Sequence, residues 1–478
     1  MMPSITVFNT HIEIYPYHKG DNFALEKSLS KWNKTTHRYI PLAYYIQNDT
    51  LYLPRGINLS VLQSTFNVIP AYDKNHTISS NKNKYNIEIK VPPRNRIQEE
   101  AIEFLTNTSK NGHQIGLNLD TGDGKTYCMC NAIITMGLTS IVITHKDRIK
   151  EQWKSTLLNM FELTEDDVFD ITGSEDMEKI VDGTVTSKIY LVNHQTIASY
   201  AKTHGWNGVK EFFDVSSICV KVFDESHKFF ENALMIDYFS NVSYTYYLTA
   251  TFARSDARES AIYKSVYSSV KRFGEETLNY EEKRKHIVFV AMYYHTSPTL
   301  QDKNSMNTLH GFSSYKFIDY ALKEESNTLM RVIEHILSST SNLKGSTLII
   351  SPKIDSCEYI AKEIKKFTDK SVGTVHSRNS KEDNEKNIKK DIICSTIKSI
   401  GEGDDIRNLR ILINTEPLGS RSLADQLRGR LREFSKTDDT FMFYPIDTSI
   451  SETTLFFKRI LPVMKKKCKE IIITKFSD

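Results

Sequence analysis

The chain has 478 residues and a formal net charge of only +3. That length fits about three domains and is enough for each of two larger ones to bury a full core. Overall charge this small excludes non-specific attraction to polyanions as a whole-molecule property, so any such affinity must come from local basic clusters. No run of eighteen apolar residues occurs, and the opening M-M-P-S-I-T-V-F lacks the basic start and long apolar core of a signal peptide. The expectation is a soluble, cytoplasmic protein with no membrane role. The six cysteines form no C-x₂-C pair, which argues against a zinc site and for reduced core thiols.

Residues 1–88 read as a small α+β module. Ile5–Ile14 and Asp49–Leu53 have strand character, and Pro54-Arg55-Gly56 is a turn signal. Aromatic and basic residues interleave at Tyr15–Lys19 and at Lys31-Trp32-Asn33-Lys34, the residue types needed to stack bases and meet phosphates. A polar stretch, Lys74–Tyr85, reads as a connector, and a chain starting near residue 88 is expected to fold without the module.

The next strand, Gln114–Leu119, runs into Thr121-Gly122-Asp123-Gly124-Lys125-Thr126, followed by a helix over Lys125–Met136. Gly122 and Gly124 let backbone N–H groups approach phosphate oxygens, and the helix start adds partial positive charge. Lys125 is placed to reach the β and γ phosphates, and the Thr126 hydroxyl to ligate Mg²⁺. Leu119 stands where such loops usually open with a small residue.

Strands are then expected at 140–144, 188–193, 218–223 and 245–250, with helices between. This is the βαβ alternation of a parallel sheet. Asp224-Glu225-Ser226-His227 falls at a strand's carboxyl end, where open α/β sheets bind ligands. Asp224 is placed to hold Mg²⁺, Glu225 to polarise an attacking water, and His227 to couple the site to its neighbours. Thr249-Ala250-Thr251 offers hydroxyls to that carboxylate loop.

Residues 295–324 have the composition of a linker. A second alternating block, 325–478, has strands expected at Ser346–Ser351, Val372–His376, Asp391–Cys394, Arg410–Asn414 and Thr440–Tyr444. It carries Gly401–Asp405 (G-E-G-D-D), then Gln426-Leu427-Arg428-Gly429-Arg430-Leu431-Arg432 on an expected helical segment, and a Lys-rich helical tail.

In this order the motifs resemble those of superfamily 2 helicases of the DExH type. The matching runs are T-G-D-G-K-T, I-T-H-K-D-R-I-K-E-Q-W (143–153), D-E-S-H, T-A-T, S-P-K-I-D (351–355), G-E-G-D-D and Q-L-R-G-R-L-R. The likeness looks closest to phage branch-migration helicases of the UvsW type and to XPB-like enzymes. It implies two tandem RecA-like domains, parallel sheets with flanking helices, the first at 89–294 and the second at 325–478. It also implies ATP and Mg²⁺ as cofactors. Gln98 would read adenine. Gly403, Asp405 and Gln426 would join the nucleotide site, and Arg430 or Arg432 would stabilise charge on the γ-phosphate. The family pattern ends on an arginine one place later, where Glu433 stands here, so the choice between the two arginines stays open.

Nucleic acid contacts are expected at Lys146, Arg148, His194, Gln195, Lys353 and Arg378, mainly to phosphates. The favoured expectation is an ATP-dependent helicase or translocase, a monomer, acting on single-stranded, forked or branched DNA. RNA unwinding, an ATP-switched clamp without turnover, and a restriction-type motor are the alternatives. No convincing nuclease motif accompanies the last.

Overall fold

The computed structural model describes residues 3–33, 35–73, 84–119, 122–249, 257–274, 285–309, 311–323, 327–400, 406, 408–435 and 437–476. The chain divides into two compact units, Met1–Leu278 and Asn279–Asp478.

The first unit is built on a seven-stranded sheet in the order Val168–Ile171, Ile189–Asn193, Ser140–Thr144, Val220–Asp224, Tyr244–Leu248, Gln114–Leu117, Lys271–Phe273. All its pairings are parallel. The inner strands are short and apolar because helices cover both faces. Ser140–Thr144 (S-I-V-I-T), for example, is buried at every position. Alternate residues therefore feed two cores. Ile141, Ile143, Phe223 and Tyr247 belong to one, and Val142, Val220, Val222 and Tyr246 to the other.

The first of these cores is shared with the N-terminal module. There a five-stranded sheet runs in the order Tyr45–Gln47, Thr50–Pro54, His11–Tyr15, Ser4–Val7, Ala71–Tyr72. Its buried Ile5, Val7, Ile12, Ile14, Leu51 and Leu53 pack in one cluster with Ile141, Phe223, Phe239 and Tyr247. Polar contacts fasten the join. Thr10 donates to the Ser240 carbonyl at 2.7 Å, and the Asn9 amide to Asn241 Oδ1 at 3.2 Å. The Pro54–Gly56 turn docks on a helix end: a Cβ at Gly56 would lie 2.0 Å from the Val266 carbonyl oxygen.

The second unit repeats the parallel architecture in the order Val372–Val375, Ile392–Ser395, Ser346–Ile350, Leu409–Asn414, Thr440–Asp447, Ile287–Tyr294, Glu470–Lys475. The two sheets bear out the tandem RecA-like fold, preceded by a small α+β region.

Three boundaries differ from the sequence reading. Ile287–Tyr294, placed in the first domain, pairs along its length with Thr440–Asp447 in the second sheet. Its apolar run has no local mark of which sheet it joins. Residues 295–324, expected to be a linker, include helices Leu300–Met306 and Ser314–Lys323, whose Phe317, Ile318 and Ala321 are core residues. The Lys-rich tail does not end on its helix: Glu470–Lys475 returns as an edge strand beside Ile287–Tyr294.

The shared core also changes the expectation for the N-terminal module. A chain beginning at residue 89 would uncover the apolar residues that share this cluster with the module, Tyr238 and Phe239 among them. It is expected to aggregate or to lose its cooperative thermal transition. A soluble 89–478 protein melting cooperatively near the full-length temperature would show that the join is dispensable.

Candidate nucleotide site

The carboxyl ends of Gln114–Leu117 and Val220–Asp224 bring together the loop and the carboxylates that the sequence singled out. Gly122 and Gly124 both have positive φ, 94° and 88°, and Gly124 caps the helix Lys125–Met136. A side chain at Gly124 is excluded twice, since a Cβ would also sit 2.4 Å from Gln98 Nε2. Gln98 is buried. Its Nε2 donates to the Asp123 carbonyl at 2.9 Å, its Oε1 accepts from the Arg94 amide at 3.0 Å, and Arg94 Nη2 donates to the Gly122 carbonyl at 2.5 Å. Both residues thus hold the loop backbone. Leu119, the unusual opening residue, is fully buried in the apolar core.

Lys125 Nζ lies 3.4 Å from Glu225 Oε1, and Glu225 Oε2 lies 3.2 Å from His227 Nδ1. Thr249 Oγ1 shares that Nδ1 at 2.9 Å, donor and acceptor depending on the imidazole tautomer. Loop lysine, carboxylate, histidine and strand-end threonine therefore form one chain of contacts. Glu225 takes φ 54°, ψ 44°, a left-handed conformation that costs energy in a non-glycine residue, while its amide donates to the Leu248 carbonyl at 2.8 Å. Burial pushes the Glu225 carboxyl up, but the Lys125, His227 and Lys228 charges beside it override that and hold it below the ordinary range.

Asp224 goes the other way. Burial and the Glu225 charge raise it to about 6, against a hydrogen bond from Trp153 Nε1 at 2.7 Å. Trp153 was quoted within a motif but given no role by the sequence. Its signal was an indole on the apolar side of Asp147–Met160, because a buried N–H needs an acceptor. The oxygen donors Asp224 and Thr126 suit Mg²⁺, which keeps several waters and takes few protein ligands. A buried carboxylate destabilised by its neighbour is also the group a divalent cation would relieve.

Thr121, Ala250, Thr251, Gly403 and Asp405 lie outside the described residues. The arginine segment departs from expectation. The helix Arg421–Arg428 ends before Arg430 and Arg432, which follow in a turn through Gly429, with Arg430 half-buried and Arg432 exposed. Gln426 is half-buried within that helix, while Arg428 is buried and donates to Asp425 Oδ1 at 2.9 Å.

The expected nucleic acid contacts divide. Lys146, Arg148 and Gln195 are exposed at strand ends. His194 is buried, its imidazole pushed down to about 4 by burial, stacked on Phe229 at 4.5 Å and hydrogen-bonded to Asn232 at 2.7 Å. It is a neutral packed ring, not an exposed cation. Lys353 is ion-paired with Asp319 and Arg378 with Asp355.

Residues 92–254 match the family described as type III restriction enzyme, res subunit. No curated protein sequence matches the chain. Among solved structures, S. cerevisiae Dbp5 bound to RNA and ADP BeF3 aligns with a TM-score of 0.53 at 14% identity, over 80% of this chain and 89% of that one. Mss116p bound to ssRNA and AMP-PNP aligns with a TM-score of 0.52 at 12% identity, over 80% and 78%. T4 UvsW spans 99% of both chains at 14% identity, but its TM-score of 0.38 is too low to carry an argument. Fold and site define the class: tandem RecA-like domains with a phosphate loop facing a paired-carboxylate strand end. The family match falls within the first unit, over the phosphate loop and the carboxylate pair.

Trp153→Phe should keep an aromatic ring at this buried position, though a smaller one, and remove the donor to Asp224. Hydrogen bonds to charged groups contribute about 1.5–3 kcal/mol. ATP turnover at limiting Mg²⁺ should therefore fall at least tenfold, with excess Mg²⁺ restoring part of it. Unchanged turnover across a Mg²⁺ titration would show that the indole only fills space.

Proposed function

We propose that the protein is an ATP-dependent DNA helicase or translocase that unwinds or branch-migrates DNA. The observation that carries the reading is the continuous contact chain Lys125–Glu225–His227–Thr249 beside Asp224. A site that only bound nucleotide would need the lysine and the loop. It would not need an ionised carboxylate wired to a histidine and to the end of the next strand.

Glu225, held ionised by three neighbouring cations, is the acceptor that orients the attacking water. Lys125 bonds to it, so a nucleotide phosphate competes for the same ammonium and loosens Glu225 as it binds. His227 and Thr249 carry that change to the Tyr244–Leu248 strand end. Thr126 and Asp224 would hold Mg²⁺, which when bound neutralises charge on the phosphates. Arg430 and Arg432 are read as the cations that stabilise the transferring phosphoryl group.

A second reading, RNA unwinding, draws on the aligned Dbp5 and Mss116p, which are bound to RNA and to ssRNA. The two are separated by ATPase activity measured with single-stranded DNA, a four-way junction and duplex RNA side by side. Stimulation by RNA alone would overturn the DNA assignment.

Glu225→Gln should leave ATP binding intact and remove nearly all turnover, whereas Lys125→Ala should weaken binding itself. Near wild-type turnover in Glu225→Gln would remove the carboxylate from the mechanism.

Arg430→Ala and Arg432→Ala separate the two arginines. Whichever loses nucleic-acid-stimulated ATPase while still binding ATP is the γ-phosphate contact, and full activity in both would exclude the segment from catalysis.

A further inference from the structure

The N-terminal module carries a feature that docking does not explain. Ser30–Asn33 and Arg38–Pro41 form a two-stranded antiparallel hairpin in which Trp32 lies directly opposite Tyr39. A lone hairpin of this size is marginal in water, but this one is held to the motor domain. Arg258 donates to the Ser30 carbonyl at 3.1 Å and to the Lys27 carbonyl at 2.8 Å, and Lys31 is ion-paired with Glu231. The hairpin is therefore a fixed support. Rings that anchor this module are buried, as Tyr17 and Tyr44 are, at 1% and 9% exposure. The hairpin's own rings face water, Trp32 at 46% exposure and Tyr39 at 37%, and so does Phe23, 67% exposed, on the helix Phe23–Ser28 that leads into it.

These rings alternate with cations. Lys27 Nζ lies 5.9 Å from the Phe23 ring and 5.2 Å from Tyr39, and the Arg258 guanidinium lies 4.8 Å from Tyr39. Trp32 meets Tyr39 at 5.0 Å and His37 at 6.3 Å, both edge-on. Arg38 is exposed beside them. Tyr39, with Lys27 and Arg258 against it, positions the charges. Phe23 and Trp32, the more exposed rings, offer their surfaces outward.

We infer that this hairpin and the helix leading into it form a stacking platform for unpaired bases of a single-stranded nucleic acid, with Phe23 and Trp32 taking bases and Lys27 and Arg38 taking phosphates. A duplex keeps its bases stacked inside and would ask only for the cations. An apolar protein partner would offer no opposite charge to Lys27 and Arg38. The inference rests on the proposed nucleic-acid-driven ATPase, and names the part of the N-terminal module that would hold the strand.

The test uses the full chain with oligo(dT) and oligo(U). Of the three tryptophans, Trp153 is fully buried and Trp206 is stacked on Phe239 at 5.6 Å, so quenching on strand binding reports chiefly on Trp32. Either strand should quench the emission, and Trp32→Phe should remove the quench while a labelled strand still binds by anisotropy. Trp32→Ala and Phe23→Ala should each weaken strand binding about tenfold, the loss of one stacked base. Melting temperature and basal ATPase should not move. A stronger effect with one strand identifies the sugar the platform accepts. Wild-type affinity in both alanine variants, with ATPase still stimulated by the strand, would overturn the platform and leave the proposed activity standing. Failure of any strand to bind or stimulate the wild-type protein would overturn both.

Discussion

A charge buried inside a parallel sheet must be met there by another charge or by strong hydrogen bonds, because leaving it alone costs several kcal/mol. The central strand of the first sheet, Val220–Asp224, carries two such charges. They lie three positions apart, so they leave the strand on opposite faces. On one face Lys221, fully buried, meets Asp237 at 2.6 Å and Ser240 at 2.5 Å, and Asp237 also accepts from Tyr247 at 2.7 Å. On the other, Asp224 accepts from Trp153 and lies beside the phosphate loop's helix. The first charge is satisfied where the N-terminal module docks, with His11 and Thr10 close to it, and the second where nucleotide chemistry belongs. One five-residue strand thus carries a charge satisfied beside the docked module near one end and the carboxylate of the site at the other.

The same constraint separates what was legible in the sequence from what was not. The loop 121–126 and the run Asp224–His227 are local: glycine, lysine and carboxylates carry their chemistry at fixed spacing, wherever the rest of the chain lies. Strands buried on both faces, such as Ser140–Thr144 and Ile189–Asn193, are legible as continuous apolar runs. Strands that exist only through a neighbour are not. Lys271–Phe273 and Glu470–Lys475 are edge strands with mixed patterns, and pairing, not propensity, makes them strands. Ile287–Tyr294 falls inside the 89–294 bounds because chain order is the only guide to them, yet it pairs in the second sheet. Trp153 escaped notice as a site residue because its role depends on an acceptor seventy-one positions away.

The arginine segment and Gln98 show a finer limit. A resemblance places residues in a motif but not in a conformation. Gly429 ends the helix one residue before Arg430, so spacing measured on an ideal helix does not carry over to Arg430 and Arg432. Gln98 stands where an adenine-reading residue is expected, yet both ends of its amide hold backbone: the Asp123 carbonyl and the Arg94 amide. Its position is fixed from two sides, and the absence of a Cβ at Gly124 is what admits it. Loop shape and base-proximal residue are therefore one unit, and a change at either should be felt at both.

The docked module raises a question of economy in design. Docking alone would be complete with buried rings and the Thr10, Asn9 and Gly56 contacts. The hairpin is instead anchored from outside the module, by Arg258 on the Ser30 carbonyl and by Glu231 on Lys31, while Trp32 and the neighbouring Phe23 stay in water. Exposed aromatics lower solubility and invite association, so a fixed hairpin that displays them needs a ligand to justify them. The helix Ala257–Val266 ties the two ends together. Arg258 near its start grips the hairpin, and Val266 at its end receives the Gly56 turn. That helix follows the Tyr244–Leu248 strand, whose end meets His227 through Thr249. The module is thus tied at both ends of one helix, within the same compact unit that carries the Glu225–His227–Thr249 contacts.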